Sequence, residues 1–397
     1  MNKKVAIIGG GASALFCASF LDQSLFDISI YDRNKALGRK FLVAGKGGFN
    51  LSHGNDIHDM FDKYSPTEFL REALMENSNI HMRDWLAEIG IQTIIGSSGK
   101  IYPEKSIKPI EVLNAIKEGL VSKGVELQYN KMLKTWKRNE ITFSDGECLH
   151  PDIIIFALGG GSWKVTGSDG LWTITFLSNG INIEEFVPMN CAFSIDWINE
   201  FMHSFHGSPV KNINIKHEAN VAIGEVVITK NGIEGGAIYA LSESIQSQLI
   251  HGSTTIYLDM KPMFDSDKIE AILTLSKLST TQTLTRSLKL SKVKIALLKH
   301  YLSKEEFNNK KTLARLIKSF PLDITKSASL DEAISTKGGI SIHELDENFQ
   351  LNKFENHFCI GEMVDWNTIT GGYLLQGCYS MGTHLAKYLN SSNSDNF

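Results

Sequence analysis

A glycine turn set between a buried strand and a helix constrains this chain more than any other feature. Lys4 to Ile8 reads as a short buried strand, Gly9-Gly10-Gly11 forms a turn after it, Ala12 to Leu21 has helical spacing, and Asp27 to Tyr31 reads as a second strand. This is a βαβ unit. It contains Gly9-x-Gly11-x-x-Ala14, with Asp32 following about 20 residues on, the context in which such a pattern takes a dinucleotide. Gly9 makes the turn, Gly11 lets backbone N–H groups approach a pyrophosphate, and Ala14 lets the helix pack close to the strand. The positive end of the helix dipole favours the diphosphate, and Asp32 is placed to hold ribose hydroxyls. The alternative is a glycine turn with no ligand.

Glycine spacing alone does not separate NAD from FAD. Gly38-Arg39-Lys40, followed by Gly45-Lys46-Gly47-Gly48-Phe49-Asn50, adds basic charge and then a loop that allows close backbone approach. That combination suits FAD; the competing reading is a solvated basic turn. Near the C-terminus Gly361-Glu362 ends a strand, and Gly371-Gly372-Tyr373 opens a helix whose free N–H groups suit a flavin pyrimidine edge. A plain glycine turn at a packed helix start would look the same.

Bulk properties exclude several classes. The 397 residues suggest two or three domains. With 40 basic and 44 acidic residues interspersed, a net charge of -4 gives no footprint for nucleic acid. Small molecules are the expected partners. No run approaches the roughly 18 apolar residues needed to span a bilayer, and the three glycines interrupt what would otherwise resemble a leader after Lys3-Lys4. The five cysteines are scattered, which argues against a disulfide framework and fits reduced thiols in a cytoplasm. His203 and His206 are spaced H-x-x-H, but Ser204, Phe205 and Gly207 read as a loop without a third ligand, so no metal is expected.

Further along, helical patterns cover Pro66 to Met75, Met82 to Ile89 and Pro109 to Leu120. Ile153 to Leu158 is a second buried strand leading into Gly159-Gly160-Gly161. Alternating segments such as Val221 to Ile223 and Glu225 to Thr229 predict an antiparallel β domain. Asp265 to Phe320 is Leu, Lys, Ser and Thr rich with helical spacing. The Ser/Asn-rich tail after Asn390 is expected to fray. Gly167-Ser168-Asp169-Gly170 reads equally as a cofactor loop or as a helix cap.

The glycine turn, Gly38 to His53, Gly96 to Lys100, Ala157 to Gly160, Gly167 to Gly170, Asn190-Cys191, Gly232 to Gly235, and Gly361 to Leu375 together resemble the BaiN/YhiN-type NAD(P)/FAD-dependent oxidoreductase family. The resemblance covers nearly the whole chain. It implies an α/β fold: a Rossmann-type two-part FAD-binding domain with an inserted antiparallel β domain and a small helical domain. The expected parts are 1–188, 189–262, 263–320, a returning strand of the β domain in 321–337, and 338–397. By resemblance, Gly9, Gly11, Ala12, Ser13, Asp32, Arg33, Arg39 and Lys40 hold the adenosine diphosphate half. Gly47, Gly48 and Asn50 lie near the ribityl chain and flavin, and Ala157, Gly159, Gly361, Glu362, Gly372, Tyr373 and Leu374 complete the cofactor site. His53, Lys46 and Tyr373 are the polar groups expected nearest the ring. The family's usual Arg-Cys is Gly48-Phe49 here, so chemistry through that cysteine is not expected.

The implied activity is transfer of hydride or electrons from a donor, with transient NAD(P)H as a candidate, through flavin N5 to a small molecule. The competing function is a flavin-binding protein acting on RNA or another macromolecule. Its best candidate surface is the lysines of the helical stretch, among them Lys268, Lys294 and Lys310.

Overall fold

Five parallel strands run in the order His357–Cys359, Ile153–Phe156, Lys3–Ile8, Phe26–Asp32 and Glu126–Tyr129. This is a computed structural model; it describes residues 2–43 and 48–394. Ile153 to Phe156 and Val5 to Ile8 are apolar at every position because both faces of the sheet are covered, and all are buried. Lys3–Ile8 lies centrally, with chain leaving it toward neighbours on either side. The crevice beyond the carboxyl ends of such strands is where this topology binds ligands.

The helix Ala12–Phe20 follows the glycine turn, and the long helix Tyr373–Ser394 packs across it. Gly382 permits the crossing: a Cβ there would sit 2.8 Å from the Ser13 carbonyl oxygen and 2.9 Å from the Cys17 nitrogen. Phe16, Trp85 and Tyr379 interlock beside it edge to face or tilted. The C-terminal tail departs from expectation. The helix continues to Ser394 because Asn390 donates to the Phe20 carbonyl, and Asn393 donates to Leu389 and accepts from Lys3. The pattern at Pro66 to Met75 also shifts. Residues 66–70 form successive turns, and the helix is Arg71–Glu76.

The chain divides into two units, Met1–Val187 with Ile334–Phe397, and Pro188–Ala333. In the second, seven strands form an antiparallel sheet in the order Phe320–Ile324, Thr254–Asp259, Pro209–His217, Asn220–Ile228, Gly232–Glu234, Phe193–Ser194 and Lys326–Ser327. The expected pair of segments around Gly224 is one strand. The helices between Ser266 and Lys318 share the hydrophobic core of this sheet through Leu284, Leu297, Leu298, Leu313 and Ile317. His203 stands on a helix, Asn199–Phe205, where a loop was expected. Phe201 and Phe205, four residues apart, stack at 5.2 Å and give the segment a helical apolar stripe.

Candidate functional site

The first glycine turn is held tightly on all sides but one. Gly9 has φ +107°, and a Cβ would lie 2.3 Å from the Ala157 carbonyl oxygen, so the turn and the end of the Ile153–Phe156 strand touch backbone to backbone. A Cβ on Gly10 would strike Leu37 at 2.3 Å. A Cβ on Gly11, the N-cap of the helix, would meet nothing within 4 Å. The helix start with its free N–H groups therefore has room in front of it, a cradle that fits a diphosphate.

Asp32 anchors the turn as well as facing it. Its Oδ2 accepts from Gly10 N at 2.8 Å, and its Oδ1 accepts from the Asn34 backbone and side-chain nitrogens at 2.7 and 3.0 Å. A carboxylate oxygen has a second lone pair, so capacity for a ribose hydroxyl remains. Asn34, not among the residues expected from sequence, is a hub: its Oδ1 accepts from Arg39 at 2.9 Å, and its amide donates to the Thr166 carbonyl at 3.3 Å. The Asp-x-Asn spacing after a strand end was its only signal. Arg33 is paired with Asp169 at 2.6 Å, and Asp169 also accepts from Leu171 N. Ser168 donates to the Gly160 carbonyl at 2.9 Å. The Gly167 to Gly170 loop thus fastens the Ala157 to Gly161 strand end to the Arg33-Asn34 corner and caps the following turn at the same time.

Lys40 reaches across to the C-terminal part of the chain. Its ammonium is 2.6 Å from Glu362 Oε2 and 2.7 Å from Ser162 Oγ, and Glu362 Oε1 accepts from Thr336 N at 3.0 Å. The Glu362 side chain is 8% exposed, so its charge is compensated inside the protein. Gly361 has φ +82°, and a Cβ would lie 2.3 Å from Ser13 Oγ. The structure therefore brings together Gly9, Gly11, Ser13, Asp32, Arg33, Arg39, Lys40, Ala157, Gly159, Gly361 and Glu362, which are scattered over more than 350 positions of sequence. Ala12 opens the helix at the same place.

A second glycine turn leads into the Tyr373–Ser394 helix. Gly371 and Gly372 have φ +126° and +99°, and a Cβ on Gly372 would be 2.4 Å from the Ser52 carbonyl oxygen. The His53 ring stacks on Tyr373 at 5.1 Å with a 13° interplanar angle. Below them runs a buried polar network: Ser52 donates to Gln376 Oε1 at 2.6 Å, and Gln376 Nε2 donates to the Asn77 carbonyl and to Ser380. Asn79 donates to the His53 and Asn55 carbonyls. Burial keeps the His53 imidazole below its usual pKa, with Lys100 and Lys63 acting in the same direction, and pushes the Tyr373 phenol up. At this turn His53 is neutral and Tyr373 protonated near pH 7. Leu374 follows in the helix, and Gly48 faces the Tyr102 ring, which a Cβ would approach to 3.4 Å. Asn50 N donates to the Gly48 carbonyl. Gly47, with Lys46 and Gly45, lies outside the described residues. Ser52, Gln376 and Lys100 were not legible as site residues, having only a polar type in an otherwise apolar or turn-like setting.

The chain matches the family described as HI0933-like protein Rossmann domain over residues 3–388. It belongs to the HI0933-like family. Its similarity to the 3-dehydro-bile acid delta(4,6)-reductase of Clostridium scindens is 24% identity, over 96% of this chain and 97% of the relative. A shorter stretch, 26% of each chain, is 29% identical to the ribosomal RNA dihydrouridine synthase of Haemophilus influenzae. Among solved structures, the 3-ketosteroid-delta4-(5alpha)-dehydrogenase of Rhodococcus jostii RHA1 shares the fold with a TM-score of 0.52 at 12% identity, over 97% of this chain and 96% of that one. The family resemblance expected from sequence holds, as does the α/β class with its Rossmann-type sheet and separate antiparallel sheet. No helix among the described residues is long and apolar enough to cross a membrane.

Proposed function

We propose that the protein is a cytoplasmic FAD-dependent reductase that adds hydrogen across a carbon–carbon double bond conjugated to a carbonyl in a small molecule, drawing electrons from a transiently bound NAD(P)H. The observation that carries the reading is the meeting of three distant segments, Gly9 to Ser13, Ala157 to Gly161 and Gly361-Glu362, around the open position at Gly11. The bound flavin supplies the two-electron chemistry. Gly11, Ala12 and Ser13 would take the diphosphate, Asp32 the ribose, and Gly361 with Glu362 the ribityl side. Gly48, Asn50, Gly372, Tyr373 and Leu374 would border the ring. Arg33, Arg39 and Lys40 would act at one remove, since each is already engaged by a protein partner.

The substrate class rests on two relatives, a delta(4,6)-reductase and a dihydrouridine synthase, whose names both describe hydrogenation of a carbon–carbon double bond. The donor reading rests on the general chemistry of flavins, which accept two electrons as hydride from a nicotinamide. Anaerobic titration with NADH and NADPH tests it. Bleaching of the flavin by at least one, with reoxidation by a 3-oxo-4-ene steroid or another enone, is expected; no bleaching by either sinks the donor assignment.

The local match to a ribosomal RNA dihydrouridine synthase supports a second reading, in which the conjugated double bond belongs to a uracil within RNA. Three lysines of the helical stretch are already engaged within the protein. Lys294 is buried and donates to the Met260 and Asn212 carbonyls, Lys310 donates to Thr280, and Lys268 lies over the Phe264 ring. Salt-sensitive retention of RNA by the purified protein would favour the RNA substrate.

A further inference from the structure

Gln376 grips both sides of the contact at the second glycine turn. Its backbone N–H donates to the Gly372 carbonyl at 3.0 Å, an early rung of the Tyr373–Ser394 helix. Its side-chain Oε1 accepts from Ser52 Oγ at 2.6 Å. Ser52 is also the residue against which Gly372 is pressed. A Cβ on Gly372 would lie 2.4, 2.5 and 2.6 Å from the Ser52 carbonyl oxygen, carbonyl carbon and Cα. One residue therefore holds the turn through its backbone and the neighbouring strand through its side chain.

The rest of the amide is committed as well. Gln376 Nε2 donates to the Asn77 carbonyl at 3.0 Å and to Ser380 Oγ at 3.1 Å, and Ser380 Oγ donates to the Asn77 carbonyl at 2.7 Å. Ser52, Gln376 and Ser380 are each 0% exposed, so these bonds form without competition from solvent. A leucine would fill such a position with no polar group to satisfy, whereas a fully bonded buried amide fixes one geometry. The Ser52–His53 strand is tied on its other edge to Ile101, whose carbonyl accepts from Leu51 N at 2.8 Å. Among the described residues, no other hydrogen bond joins that strand to the helix. Tyr64, which donates to the Tyr373 carbonyl at 2.8 Å, fixes the helix start from elsewhere.

We propose that Gln376 is a positioning residue for the flavin: through Ser52 it sets how the Ser52–His53 strand and the Gly372-Tyr373 helix start stand against each other, and so how that start meets the pyrimidine edge. This rests on the reading above in which Gly372 and Tyr373 border the ring. Reduction adds negative charge at that edge, and donors held in place favour the reduced form more than donors free to shift. Gln376 itself touches no reacting atom; it acts through Ser52 and Gly372.

The test uses the FAD-loaded enzyme and reads the midpoint potential of the flavin by equilibration with a reference dye, with a urea transition measured in parallel. In Ser52→Ala and in Gln376→Leu the equilibrium constant for reduction should fall at least tenfold, about 30 mV for a two-electron couple, while FAD stays bound. Ser52→Thr, which keeps the hydroxyl, should stay within threefold of wild type. Ser380→Ala breaks the same buried network without touching Ser52, so its urea midpoint should fall as far as that of Ser52→Ala while its potential stays within threefold. If Gln376→Leu does not fold, Ser52→Ala and Ser380→Ala decide between them. A potential in Ser52→Ala within threefold of wild type overturns the proposal, as does an equal shift in Ser380→Ala, which would make the network merely structural. Wild-type protein that takes up no FAD overturns the cofactor reading instead.

Discussion

The two glycine turns of the Rossmann-type unit are built alike and finished differently. Both begin a helix, and both press backbone against a neighbouring strand, Gly9 on Ala157 and Gly372 on Ser52. Around the first, the nearby charges are already paired: Arg33 with Asp169, and Lys40 with Glu362. Around the second stand Lys100, which meets no carboxylate among the described residues, and the Tyr373 ring with the His53 imidazole stacked on it, the latter held below its usual pKa by burial. A site that only has to hold a ligand profits from a rigid, internally satisfied frame. A site that has to respond to a change of charge needs groups left uncommitted. The first turn is thus the more rigidly tied of the two in charge terms.

The largest effect expected is from removing the backbone contacts. Gly9→Val or Gly372→Ala forces a side chain into a carbonyl and a positive φ, and should cost on the order of 3 kcal/mol or more, read as a lost or strongly shifted urea transition. Equal damage at both positions is consistent with the shared construction; tolerance at either breaks it. Next is Lys40→Met, which strands the Glu362 carboxylate. A loss of about 2 kcal/mol is expected in the same assay, less than for a fully buried pair because the lysine side chain is 26% exposed. Glu362→Gln should cost less than Lys40→Met, since the amide oxygen still accepts from Thr336 N.

At the second turn the balance reverses. Tyr373→Phe removes a hydroxyl that makes no hydrogen bond among the described residues, so stability should move by no more than about 0.5 kcal/mol while acceptor turnover falls about tenfold, equivalent to roughly 1.4 kcal/mol in the barrier. A variant as active as wild type would remove Tyr373 from the chemistry. The smallest effect concerns His53. Its folded pKa is depressed, so the unfolded chain takes up the proton first. Its contribution is fully present above about pH 6.5 and is lost as pH falls through the depressed value. Thermal midpoints measured between pH 7.5 and 5 should fall less steeply in His53→Gln than in wild type; parallel profiles would show that the ring is not held neutral.

Much of this was legible because it depends on local pattern. The apolar runs at Val5 to Ile8 and Ile153 to Phe156 announce buried parallel strands, and Gly9, Gly361 and Gly372 stand where only a glycine leaves room. What escaped were the partners of each charge. Arg33, Arg39 and Lys40 read as three free cations for a diphosphate, yet each is met by a residue brought from 5 to 322 positions away. Lys100 read as one residue of a turn, and its place in register with His53 appears only once the strands pair. Sequence spacing reports shape well, but it does not report which charges are already satisfied.

The central claim, that the first turn is a frame built around an open diphosphate cradle at Gly11, is tested most directly by Gly11→Ala. A methyl there meets nothing, so the folded apoprotein should lose no more than about 1 kcal/mol, the ordinary cost of alanine at an N-cap, while the dissociation constant for FAD, measured by fluorescence titration, should rise at least tenfold. Unchanged FAD affinity in a stably folded Gly11→Ala protein would contradict the account.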